Sequence, residues 1–157
     1  MALDACVYCN CLEEGKISIA PNAKWGIYIR ACGDRDISSV LEEDKIDFDK
    51  WNSTACTHPN GVFTYQYLGN IYQINHIKQF LSQFNSFEVI LNKVIYSGSH
   101  AGDWIDLSDV KIIQKELCVL ESLSFPDNQT NTLILDFLYK MKNFIKCSLD
   151  LQKPISF

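Results

Sequence analysis

A chain of 157 residues, 47% hydrophobic and 12% aromatic, has the size and composition of one packed domain, which excludes a disordered or low-complexity protein. Its formal net charge of -5 argues against a nucleic-acid partner, because neutralising phosphates requires clustered cations. No stretch approaches the roughly 18 uninterrupted apolar residues of a membrane span, and Met1–Cys6 lacks the cationic and apolar segments of a secretory signal. The expectation is therefore a single cytoplasmic domain over residues 1–157 that has no membrane partner.

The first predicted element is a strand over Ala5–Leu12, where Val7, Cys9 and Cys11 share one face by alternation. Turns at Glu13–Lys16 and Pro21–Asn22 precede a second strand, with Trp25, Ile27 and Ile29 alternating with Tyr28 and Arg30 up to Gly33. Between Ile37 and Trp51 the apolar positions Ile37, Val40, Leu41 and Phe48 mark one short helix. A third strand is predicted over Gly61–Leu68, rich in aromatic and β-branched residues.

From Asn70 to Phe84, Ile71, Ile74, Ile77, Phe80, Leu81 and Phe84 recur at steps of three and four, which is one face of a helix. The apolar run Phe87–Tyr96 reads as a buried strand, central in the sheet. A second helix over Leu107–Leu123 presents Val110, Ile113, Leu117 and Leu120, with Asp106 or Ser108 as its cap. A third begins near Thr130 or Asn131 and presents Ile134, Phe137, Leu138, Met141, Phe144 and Ile145. Pro154 removes a backbone donor from Leu151–Phe157, so a strand there belongs at an edge. The fold class is then α+β: a small, mainly antiparallel sheet of four to five strands packed against three helices.

Seven cysteines in a chain without a signal read as reduced thiols. Cys6-x2-Cys9-x-Cys11 and Cys56-x-His58 bring together the side chains that zinc prefers, and Cys9, Cys11, Cys56 and His58 make a sensible set of four. The Cys-x-Cys and Cys-x-His spacings match no standard zinc template, however, and unpaired cysteine in a core is usually a small hydrophobe. No cofactor is expected on that ground, with zinc on those four residues as the alternative.

Two further regions stand out. The loop Tyr96–Trp104 has small residues that admit a ligand close to the backbone, and Ser97, Ser99, His100 and Asp103 supply polar groups. They do not form a nucleophile, base and orienter among themselves, and the loop lacks a phosphate-loop lysine, so catalysis is not expected. From Asp34 to Asp49, seven acids face only Arg35 and Lys45. Glu42, Glu43, Asp44 and Asp47 in this stretch suit a basic protein partner by charge complementarity. The acidic spacing is not that of a calcium loop.

Cys6-Val7-Tyr8-Cys9-Asn10-Cys11, His58-Pro59-Asn60-Gly61 with Leu68-Gly69-Asn70-Ile71, and Tyr96-Ser97-Gly98-Ser99-His100-Ala101-Gly102-Asp103 together resemble a group of small uncharacterised bacterial proteins of polymorphic-toxin immunity type. The resemblance implies a cytoplasmic bacterial protein that binds and blocks another protein. The leading expectation is thus a non-catalytic protein-binding domain, an immunity-type inhibitor of a basic toxin. The alternative is a small zinc-binding domain, structural or hydrolytic.

Overall fold

The computed structural model describes residues 2–157. Strand β1 (Ala2–Tyr8) buries Leu3, Ala5 and Val7 on one face and pairs antiparallel with β4 (Val62–Asn70), from Ala2 opposite Asn70 to Tyr8 opposite Val62. On its other side β1 meets the short strand β6 (Ile155–Ser156), which in turn pairs with β5 (Trp104–Ile105). The sheet order is β4-β1-β6-β5, antiparallel throughout. This is the α+β class that the sequence predicts.

Three helices supply most of the rest of the main core. Helix α2 (Ile71–Leu81) starts in a capping box formed by Asn70 and Gln73, and buries Ile74, Ile77, Phe80 and Leu81. Helix α3 (Leu107–Glu121) is capped by Asp106, whose carboxylate accepts from the Asp109 amide. Helix α4 (Asn128–Leu151) is capped by Asp127, three or four residues before the positions that the sequence suggests, and stacks Ile134, Phe137, Leu138, Met141, Phe144 and Ile145 toward the sheet. Among the described residues no helix is long and apolar enough to cross a membrane.

Two expectations are corrected. Phe87–Tyr96 is not a central strand but a helical turn, π-helical over Ile90–Val94. Phe87, Ile90, Val94 and Ile95 are the fully buried residues of this run, and the steps of three and four between the first three belong to a helix. Its first amides are satisfied from α3, where the buried Glu116 carboxylate accepts from the Val89 and Ile90 amides at 2.9 and 2.8 Å. A strand would have offered those amides to a neighbour strand instead.

The C-terminal strand is likewise internal, between β1 and β5, and not at an edge. Pro154 lies one residue before β6, so its missing donor falls outside the ladder.

Between β1 and β4 the chain makes a long excursion, residues 9–61. It holds a two-stranded antiparallel ribbon of β2 (Ile27–Ile29) and β3 (Arg35–Ile37), followed by helix α1 (Glu42–Asn52). A small core of its own consists of Trp25, Ile37 and Phe48, with Trp51 packed against it and the Trp25 and Phe48 rings edge to face at 5.9 Å. Because β1 and β4 are paired, the two ends of the excursion meet at one neck.

Candidate metal centre

The neck is where the predicted ligands come together. β1 ends at Tyr8, and the Cys9 amide still donates to the Gly61 carbonyl at 2.8 Å, so the pairing of the two chain segments extends just past the strands. The chain then turns sharply, with Glu14 and Lys16 donating back to the Asn10 and Cys11 carbonyls. Cys9 and Cys11 therefore lie beyond β1, not on a strand that runs to Leu12 as predicted. The turn carries their thiols toward the segment after α1, which delivers Cys56 and His58. A 3₁₀ turn over Pro59–Gly61 leads from His58 into β4.

Cys9 and Cys11 are buried; Cys56 and His58 are partly so. Cys9 Sγ lies 3.9 Å from Cys56 Sγ, and Cys11 Sγ lies 3.3 Å from His58 Nδ1. All four donor atoms are within 4.8 Å of one another. Tetrahedral zinc bonds of about 2.3 Å to sulfur and about 2.0–2.1 Å to nitrogen imply edges of roughly 3.8 Å between sulfurs and roughly 3.5 Å from sulfur to nitrogen. The Cys9–Cys56 and Cys11–His58 separations lie close to these edge lengths, and the set could hold a metal ion. No disulfide links any of the cysteines.

Sequence reasoning missed the residue that sets the charge of this site. Arg35, the first residue of β3, is only 3% exposed. Its Nη2 donates to Cys9 Sγ at 2.9 Å and to Cys56 Sγ at 3.2 Å, while Nη1 donates to the Asn52 side chain at 3.2 Å. Among the described residues, no carboxylate forms an ion pair with it. A buried guanidinium requires an anionic partner, and here the groups able to become anionic beside it are thiols.

Gly61 makes room for this arrangement. At its φ of +71° a side chain would be strained, and a Cβ would stand 3.1 Å from the Arg35 guanidinium carbon. No spacing in the sequence points to Arg35; it is reached only through the β2–β3 hairpin, which sets it opposite Ile29.

The thiols differ in their protonation. Burial, reinforced by Cys9 and Cys56, pushes the Cys11 thiol up to about 12. Burial acts in the same direction on Cys56, but the Arg35 guanidinium and the His58 backbone outweigh it, and the Cys56 thiol titrates below its ordinary value. The site thus combines a proton-holding thiol next to an imidazole with a thiol that ionises beside a fixed cation.

The other predicted site residues do not assemble in this way. In the loop after the π-helical turn, the Ser97 hydroxyl accepts from Lys78 and the Ser99 hydroxyl accepts from the Ala101 amide. The Asp103 carboxylate accepts from the Tyr96 hydroxyl. His100 stacks on the Tyr96 ring at 4.0 Å, with its Nε2 enclosed and without a hydrogen-bond partner, beside a cleft lined by Leu3, Ile74 and Asn75. Most of the loop's polar groups thus hold the loop itself. Outside these predicted sites, His76 bonds Thr130 at 2.9 Å and ties α2 to the start of α4.

The acidic residues of α1 are divided. Asp44 turns inward and accepts from the Trp25 indole at 3.0 Å, from Asn22 and from Ser39. Glu42, Glu43 and Asp47 are exposed on the same helix as the exposed Ile46, with Asp47 accepting from Lys50 at 3.0 Å in an ion pair. Among the described residues, no other group of three or more histidine, cysteine or acidic side chains converges as Cys9, Cys11, Cys56 and His58 do. Comparison with protein-family models, curated proteins and solved structures finds no match to this chain.

Proposed function

We propose that this chain is a non-catalytic metalloprotein domain in which Cys9, Cys11, Cys56 and His58 bind one zinc ion as a closed structural centre. The observation that carries the reading is the convergence of these four donors on one another, two of them bonded by a buried Arg35 whose charge has no carboxylate partner among the described residues. Three thiolates with Zn²⁺ leave one negative charge in excess, and Arg35 offsets it. Soft sulfur ligands with one imidazole in a tetrahedral set select zinc over hard cations. Four protein ligands leave no open position for water or substrate, which favours a structural over a hydrolytic role.

The position of the cluster supports the same reading. The excursion has a core of only three buried apolar residues, a small core for a segment of this length. A metal at its neck would contribute binding free energy directly to its folding. Protein purified without chelator carries one zinc per chain by elemental analysis, and the Cys9→Ser and Cys56→Ser variants lose it. Metal-free protein with a native circular dichroism spectrum would refute the proposal.

Such a domain acts through its surface, and α1 favours the protein-binding reading, in which an immunity-type domain blocks a basic toxin. Glu42 and Glu43, with Asp47 paired to Lys50, share an exposed helix with an exposed isoleucine, and the centre anchors that helix through Asn52 and Arg35. Acidic charge on the same helix as one apolar anchor fits a cationic partner. Replacing the three acids with lysine abolishes capture of that partner; equal capture by parent and variant would rule this surface out.

A further inference from the structure

Cys9 and Cys56 differ from the third thiol of the cluster. Their sulfurs face each other at 3.9 Å, and the same Arg35 nitrogen bonds both. Cys11 is engaged with His58 instead. Cys56 is the more open of the facing pair, Cys9 being 3% exposed. One partly exposed sulfur with a buried sulfur behind it is the arrangement in which an oxidised thiol finds a resolving partner.

We propose that Cys56 and Cys9 form a peroxide-sensitive switch that releases the metal and unseats β3. The inference rests on the zinc reading above. The Cys56 sulfur attacks a hydroperoxide, forming an S–O bond and breaking the O–O bond; the Cys56 sulfenic acid forms, and the leaving oxygen takes up a proton as water or alcohol. Cys9 sulfur then attacks the Cys56 sulfur, forming the S–S bond and breaking S–O, and the hydroxide leaves with a proton as water. Two electrons pass from the sulfur pair to the peroxide. A dithiol reductant reverses the bridge.

Two consequences follow. Cys11 and His58 alone are too few ligands to retain zinc. Arg35 also loses both of its anionic partners, because a neutral disulfide cannot balance a buried guanidinium. The excursion stays tied at its neck by the new bridge, while the β2–β3 ribbon that carries Arg35 loses its seat.

The test treats the zinc-loaded full chain with hydrogen peroxide. Zinc release is followed with a chromophoric chelator, disulfides are mapped by mass spectrometry, and amide hydrogen exchange is read over residues 25–37. The expected result is one zinc released per Cys9–Cys56 bridge, with exchange in β2 and β3 about a hundredfold faster or more, both reversed by dithiothreitol and zinc. Retained zinc, a bridge between other cysteines, or unchanged exchange after the bridge forms overturns the switch. If the purified chain holds no zinc, the proposed function fails on its own, and the same mapping still decides whether Cys9 and Cys56 bridge.

Discussion

A guanidinium that is 3% exposed makes demands on its neighbours that an exposed one does not. Arg35 is answered by two sulfurs and one amide oxygen, so its effect on the centre is electrostatic as well as steric. Replacing it with methionine keeps the volume and removes the charge. Removal of a group that orients and balances metal ligands lowers affinity by about 10–100-fold, and competition with a chelator of known affinity measures the change. Equal affinity would show that the sulfurs do not depend on this cation.

His100 gives a second test at this scale. Burial holds its imidazole below the ordinary value of 6.5, against the Asp103 carboxylate, which favours the cation. The unfolded chain therefore binds a proton at His100 more readily than the folded chain. The stability of the parent falls as pH drops through about 6.5 toward the folded value. A His100→Phe variant lacks this term, so its stability relative to the parent rises as pH falls in urea titrations at several pH values. A constant difference across that range would contradict the assignment.

At the scale of elements, the tie between α3 and the π-helical turn is the least expected part of the fold. Glu116 sits on the buried side of α3 beside Ile113 and Leu117, and its two oxygens accept two amides that would otherwise be buried without partners. The Glu116→Ala variant leaves both unsatisfied and costs about 2–4 kcal/mol, read from the midpoint shift in chemical denaturation. A loss near zero would mean that water or another group caps the turn equally well.

The same tie explains how legible the elements were. Helices α2, α3 and α4 follow from apolar spacing, because each has one long face against the core. Phe87–Tyr96 reads wrongly as a buried strand because a short apolar run fits a buried helical turn equally well; the acceptor that decides between them, Glu116 on α3, is more than twenty residues away from the amides it caps. Pro154 cannot donate, but the edge position inferred from it fails, because it lies one residue before an internal strand. Its position relative to the ladder depended on a pairing that the sequence does not display.

For the whole molecule, the antiparallel pairing of β1 with β4 is the decisive fact, because it closes residues 9–61 into an excursion with a single neck. The four ligand types were readable from Cys9, Cys11, Cys56 and His58, but their convergence was not. Cys-x-Cys and Cys-x-His spacings become a set only when two segments more than forty residues apart are brought side by side. Arg35 was still less accessible, since it lies in an acidic stretch where a lone arginine reads as a surface charge. The charge pattern of α1, by contrast, was visible from composition, although Asp44 serves the excursion's own core and not the surface.

X-ray absorption at the zinc edge, on the full chain as purified, addresses the centre most directly because it reports the metal and its donors together. Zinc bound by three sulfurs at about 2.3 Å and one nitrogen at about 2.0–2.1 Å is the predicted result. Absence of zinc, or a shell dominated by oxygen and nitrogen, would contradict a closed centre built on Cys9, Cys11, Cys56 and His58.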